Sequence, residues 1–96
     1  MDPFNIRINY QEQDLTLTVL PAENGYFKII YYAAVLTAVQ KNHVDDWKIV
    51  SKDAIEAGDL PFYIQGNHAE HLEFTLDEAF AQVVGSAIEL ELSQQD

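Results

Sequence analysis

The sequence predicts an α+β domain: an antiparallel β-meander of five strands, or six on the longer count, with one C-terminal α-helix packed on one face. Three observations predict it. Apolar residues alternate strictly over residues 4–10 and 15–20. Aromatic and β-branched runs follow, punctuated by turn residues, and the chain closes on a helix-capping pattern with an apolar period of 3.6. With 96 residues the chain is read as a single domain, 1–96, too short for two cores.

The first strand covers residues 4–10, with Phe4, Ile6, Ile8 and Tyr10 on one side and Asn5, Arg7 and Asn9 on the other. The second covers residues 15–20, with Leu15, Leu17 and Val19 inward and strand-favouring Thr16 and Thr18 outward. Gln11-Glu12-Gln13-Asp14 is the polar link of their hairpin. Pro21 ends the second strand, and Asn24-Gly25 marks a turn because both residues tolerate positive φ. Residues 26–41 (YFKIIYYAAVLTAVQK) are read as two strands, 26–32 and 35–41, reversing near Ala33-Ala34. A helix over residues 33–40 is the alternative, on alanine content. After a turn at Asn42-His43-Val44-Asp45, a fifth strand runs from Asp46 to Ser51.

The third and fourth strands are apolar on both faces, as central strands are when both faces are covered. Phe27, Ile29 and Tyr31 share one face; Tyr26, Ile30, Tyr32 and Leu36 share the other. Residues 53–74 are irregular, broken by Gly58, Pro61 and Gly66, and Phe62-Tyr63-Ile64 is the candidate sixth, edge strand. Thr75-Leu76-Asp77-Glu78 matches a capping box, with Thr75 as N-cap and Glu78 at the third helical position. Leu76, Ala79, Phe80, Val83, Val84, Ala87, Ile88 and Leu92 then form the helix stripe, which runs to about Ser93. Gly85 inside this helix costs roughly 1 kcal/mol against Ala. Close contact with an aromatic of the sheet would justify it.

Charge narrows function by exclusion. Sixteen acids against five bases give −11. All five bases (Arg7, Lys28, Lys41, Lys48, Lys52) lie in residues 1–52 with six acids, whereas residues 53–96 hold ten acids and neither Lys nor Arg. Such a chain repels nucleic acid and anionic lipid. It favours a basic protein partner, or serves solubility alone. Cysteine is absent, which excludes disulfides, thiolate metal sites and thiol nucleophiles. The longest apolar run, residues 29–39, is about half the ~20 residues of a membrane helix. Together with an N-terminus lacking a signal-peptide pattern, this leads to the expectation of a soluble, cytoplasmic protein without membrane association.

No pattern specifies a reaction. Ser86 lacks the second glycine of a nucleophile elbow and lies inside the helix. The four glycines, at 25, 58, 66 and 85, are scattered rather than gathered in a phosphate-binding loop. The carboxylate pairs Asp45-Asp46, Asp77-Glu78 and Glu89/Glu91 follow from acidic composition. His68-Ala69-Glu70-His71-Leu72-Glu73 makes His68 and His71 the weak metal candidates, but its spacing is not that of the zinc proteases, and exposed loop histidines are the plainer account. The aromatics Tyr26, Tyr31, Tyr32, Trp47, Phe62 and Tyr63 form the core or, if a sheet face stays open, line a pocket or interface; Tyr26, Tyr32, Trp47, Phe62 and Tyr63 are the binding candidates. No cofactor is implied.

The expectation is therefore a non-enzymatic protein-interaction module of the inhibitor, immunity or adaptor type. The alternative is a small-ligand or metal-binding domain using the aromatic face or the His68/His71 cluster. A homodimer is also expected. One helix covers only one sheet face, and residues 53–74 (Leu60, Phe62, Ile64, Leu72, Phe74) cover the other incompletely.

Overall fold

The computed structural model describes residues 3–22, 25–42, 46–55, 58, 61–63 and 75–94. It is a curled five-stranded antiparallel sheet in the order β1-β2-β3-β4-β5, with one helix across one face. The strands are β1 (Phe4–Tyr10), β2 (Gln13–Pro21), β3 (Phe27–Tyr31), β4 (Ala34–Lys41) and β5 (Trp47–Ile49); the helix, α1, spans Glu78–Ser93. Residues 34–41 are strand, so the helical alternative for this stretch falls.

Alternation sets the register of the first hairpin. Phe4 faces Val19, Ile6 faces Leu17 and Ile8 faces Leu15, which places one apolar row beneath the helix. On the outer face the paired polar residues join: Thr18 Oγ1 donates to Asn5 Oδ1 at 2.9 Å, and Asn9 Nδ2 donates to Asp14 Oδ1 at 3.2 Å. The turn is tighter than the four-residue link, because β2 already begins at Gln13. Gln11 (φ 52°) and Glu12 (φ 65°) alone make the reversal, and Tyr32 (φ 51°) and Ala33 (φ 59°) repeat this between β3 and β4. Two successive positive φ values match the twist that two-residue hairpins need.

β4 breaks the alternation. Ile29 pairs with Thr37 and Ile30 with Val35, so Leu36 is an extra residue in the ladder. One extra residue inverts the facing of every residue beyond it in the strand. The two-residue turn pairs Ala34 with Tyr31 and Val35 with Ile30, so Leu36 belongs to the helix-side core rather than the expected face of Tyr26 and Ile30, and the bulge returns Val39 to that same side. β5 is three residues long, shorter than the expected 46–51, and is extended only by the Val50 N–H donating to Ala38 O at 2.9 Å. The chain then makes a 3₁₀ turn at Lys52–Ala54. Farther along the same edge, at the place of the expected sixth strand, Phe62 forms an isolated parallel bridge with Val35, and Ile64 lies outside the described residues. Two backbone bonds of 2.8 Å hold it: Val35 N–H to Pro61 O, and Tyr63 N–H to Val35 O.

The helix begins two residues later than a Thr75 cap implies. Asp77 is the N-cap, its carboxylate accepting the Phe80 N–H at 3.0 Å. Aspartate caps at least as well as threonine and suits the helix dipole. Thr75 instead donates its N–H to the Tyr10 hydroxyl at 2.9 Å, tying the approach to the helix onto the end of β1. The buried stripe is Phe80, Ala81, Val84, Gly85 and Ile88, with Ala79 exposed and Val83 43% exposed. This is the expected stripe turned by about one position. Gly85 sets the phase: a Cβ there would lie 2.1 Å from Trp47 Cγ, so glycine lets the helix axis descend onto the indole.

Two apolar clusters result. The larger lies between sheet and helix and includes Ile6, Leu17, Val19, Ile29, Trp47, Phe80, Val84 and Ile88. The smaller, on the other face, joins Tyr26, Ile30, Val35, Ala38 and Ile55, with Val50 and Phe62 against it. All five of its central residues are buried within the single chain. At these residues the expected homodimer has no bare face to bury.

Candidate functional site

The five aromatics nominated from sequence do not share one surface. Tyr26 is buried in the cluster opposite the helix. Trp47 is 3% exposed beneath the helix, with Phe27 at 5.8 Å between ring centroids and its Nε1 donating to Glu89 Oε1 at 3.2 Å. Tyr32 stands 66% exposed in the β3–β4 turn, edge-on to Tyr31 at 4.6 Å. Phe62 and Tyr63 stay together at the bridge to Val35, half-buried, with Tyr63 at 5.2 Å from Tyr31. His68 and His71 lie outside the described residues. Among the described residues no group of three His, Cys, Asp or Glu side chains could hold a metal ion.

Three of the described carboxylates, Asp46, Asp77 and Glu89, serve the framework. Asp77 caps the helix. Asp46 accepts from the Gln82 side-chain amide, whose nitrogen also donates to Trp47 O at 3.3 Å. Glu89 lies between Trp47 and Lys41, with Lys41 Nζ 2.5 Å from its Oε1. These contacts tie the β4–β5 end of the sheet to the helix. Ser86 is exposed on the helix.

Two concavities are lined by described residues. The first is a groove of about 320 Å³ at the edge of β1, lined by Asn5, Ile6, Arg7, Thr16, Ala87, Leu90 and Glu91. Its floor is apolar, from Ile6, Ala87 and the 61% exposed Leu90. Arg7 and Glu91 give the rim opposite charges. Beside it the outer edge of β1, at residues 4–9, has no strand paired to it among the described residues. The second is a cleft of about 290 Å³ on the opposite edge of the sheet, between the end of β5 and the Phe62 bridge. Leu36, Thr37, Ile49, Val50, Ile55, Phe62 and Leu76 line it, with Tyr63 and Ser51.

Sequence reasoning nominated Phe62 and Tyr63 here but missed Thr37 and Leu90. Both carry a signal in retrospect. Thr37 is the lone hydroxyl in the run Ala33-Ala34-Val35-Leu36-Thr37-Ala38-Val39, and Leu90 sits between two glutamates, out of phase with the buried stripe. No helix among the described residues is long and apolar enough to cross a membrane. Comparison with protein-family models, with curated proteins and with solved structures found no match.

Proposed function

We propose that the protein is a non-enzymatic interaction module, of the inhibitor, immunity or adaptor kind, that receives an extended segment of a protein partner along the edge of β1. The observation that carries this reading is the coincidence of a strand edge that has no partner among the described residues with a groove lined by Leu90. An open edge offers a row of backbone donors and acceptors to an added strand. Alternate side chains of that strand would meet Ile6, Ala87 and Leu90 on one side and solvent on the other. A net charge of −11 favours a segment rich in Lys and Arg, recruited faster at low salt.

Peptides selected from a random display library against the protein provide the test. The amide shifts they induce should cluster at residues 4–9 and 87–91, and binding should weaken as salt is raised. Leu90→Lys should abolish saturable binding while leaving stability within a few tenths of a kcal/mol, as expected for an exposed position. Peptides that map elsewhere, or that ignore Leu90→Lys, would refute the reading. Concentration-dependent shifts of the same β1 amides without peptide would make a second copy of this chain the occupant.

A further inference from the structure

We propose that the cleft between the end of β5 and the Phe62 bridge binds a neutral, mainly apolar small molecule, about the size of one substituted ring, whose single polar group hydrogen-bonds Thr37. Three observations converge there. First, the cleft is built by the fold. β5 pairs only with residues 39–41 of β4, the bridge to Phe62 takes up β4 again at Val35, and the extra residue Leu36 falls between them. Among the described residues the sheet edge is thereby interrupted opposite Leu36 and Thr37, and the opening reaches residues of both apolar clusters.

Second, Thr37 is 4% exposed, the one polar residue buried among those described. Among the described residues its hydroxyl has no hydrogen-bond partner, although buried hydroxyls almost always find one. It lines the cleft, where a ligand group can supply the partner. Third, none of the described side chains lining it is charged. An ion entering would lose hydration without compensation, and an anion would also meet the field of a −11 chain. A volume of about 290 Å³ is at the small end of ligand sites, roughly 300–1,000 Å³. Ring-sized neutral molecules with one hydroxyl or carbonyl satisfy all three conditions.

The test uses phenol, toluene and benzoate, followed through the side-chain methyl signals of Leu36, Ile49, Ile55 and Leu76. Phenol should shift these signals saturably, toluene should bind roughly 5- to 10-fold more weakly for want of the hydrogen bond, and benzoate weaker still. Thr37→Val keeps the shape and removes the hydroxyl, and should bring phenol down to the toluene level. Ser51→Trp, at an exposed position on the mouth, should block both ligands and does not depend on the buried substitution being tolerated. Absence of saturable shifts up to the solubility of phenol would overturn the proposal and leave the cleft to water. Equal binding of phenol and toluene to the native protein, or binding that survives Ser51→Trp, would overturn it too.

Discussion

The two faces of the sheet are covered by different means. On one, a sixteen-residue helix lays Phe80, Ala81, Val84 and Ile88 against Ile6, Leu17, Val19 and Ile29. On the other, the described cover comes from short pieces: Val50 after β5, Ile55 after a single 3₁₀ turn, and Phe62 at an isolated bridge. A helix satisfies its own backbone and so can bury a continuous stripe. An irregular segment must find a partner for each peptide group individually, as Val50, Pro61 and Tyr63 do on β4. The regular cover yields a closed core. The piecemeal cover ends at the sheet edge in the cleft beside Thr37, which residues of both clusters line.

The largest expected effect lies on the helix side. Trp47→Ala removes the ring on which Gly85 rests and the donor to Glu89. It should cost ~3–5 kcal/mol, a large share of the 5–15 kcal/mol typical of a domain. A urea melt measures it. A loss near 1 kcal/mol would mean the helix does not depend on the indole.

Gly85→Ala should cost ~2–3 kcal/mol in the native protein, because the new methyl meets the Trp47 ring at 2.1–2.3 Å and one of them must move. In the Trp47→Ala background the same change should become stabilising by roughly 1 kcal/mol, the ordinary preference for alanine over glycine in a helix. The sign reversal, read from a double-mutant cycle, separates this contact from any general intolerance of the site. Additive effects would place the cause elsewhere.

On the opposite face, Ile55→Ala should cost about 2 kcal/mol, at the lower end of the usual range for a buried isoleucine. The reason is the difference between the covers: short irregular pieces can close over a missing side chain more readily than a helix held along its whole length. A loss equal to that of Ile88→Ala, which is buried at the centre of the helix interface, would erase the distinction.

This contrast also marks what the sequence discloses. Where the cover is periodic, alternation at Phe4-Ile6-Ile8 and the 3.6 spacing of the helix are written in the residues, because burial repeats with the backbone. The errors arise where one residue resets a period. Leu36 reverses the parity of β4 as the extra residue of a bulge, and apolar content alone does not distinguish its two faces. Gly85 does make the close contact with a sheet aromatic that would justify a glycine there, with Trp47, but it lies at the centre of a buried stripe that apolar spacing draws without it. The cover from Ile55 and Phe62 follows no period, so composition reveals apolar residues without showing which face receives them. The candidate site suffered most from this. Tyr26 and Trp47 are aromatic, and so nominated, but they serve as core, whereas Thr37 is visible only as one hydroxyl among apolar neighbours.

The smallest effects separate two candidate caps. Thr75 and Asp77 both precede the helix, both have a side-chain oxygen, and a sequence motif read alone selects Thr75 because Glu78 follows at the capping-box distance. Geometry selects Asp77. Its φ of −123° and ψ of −175° are the extended values of an N-cap, its carboxylate accepts the Phe80 N–H, and its carbonyl accepts the first helical bond from Ala81 at 3.0 Å. Asp77→Ala should therefore cost ~1 kcal/mol, whereas Thr75→Ala should cost no more than a few tenths, since Thr75 contributes its backbone N–H and not its hydroxyl. Asp77→Asn retains the acceptor and should recover most of the loss, leaving only the dipole contribution of roughly 0.3–1 kcal/mol. The recovery gap should narrow in high salt, which screens the charge but not the hydrogen bond. Equal losses for Thr75→Ala and Asp77→Ala would restore the capping box and begin the helix two residues earlier.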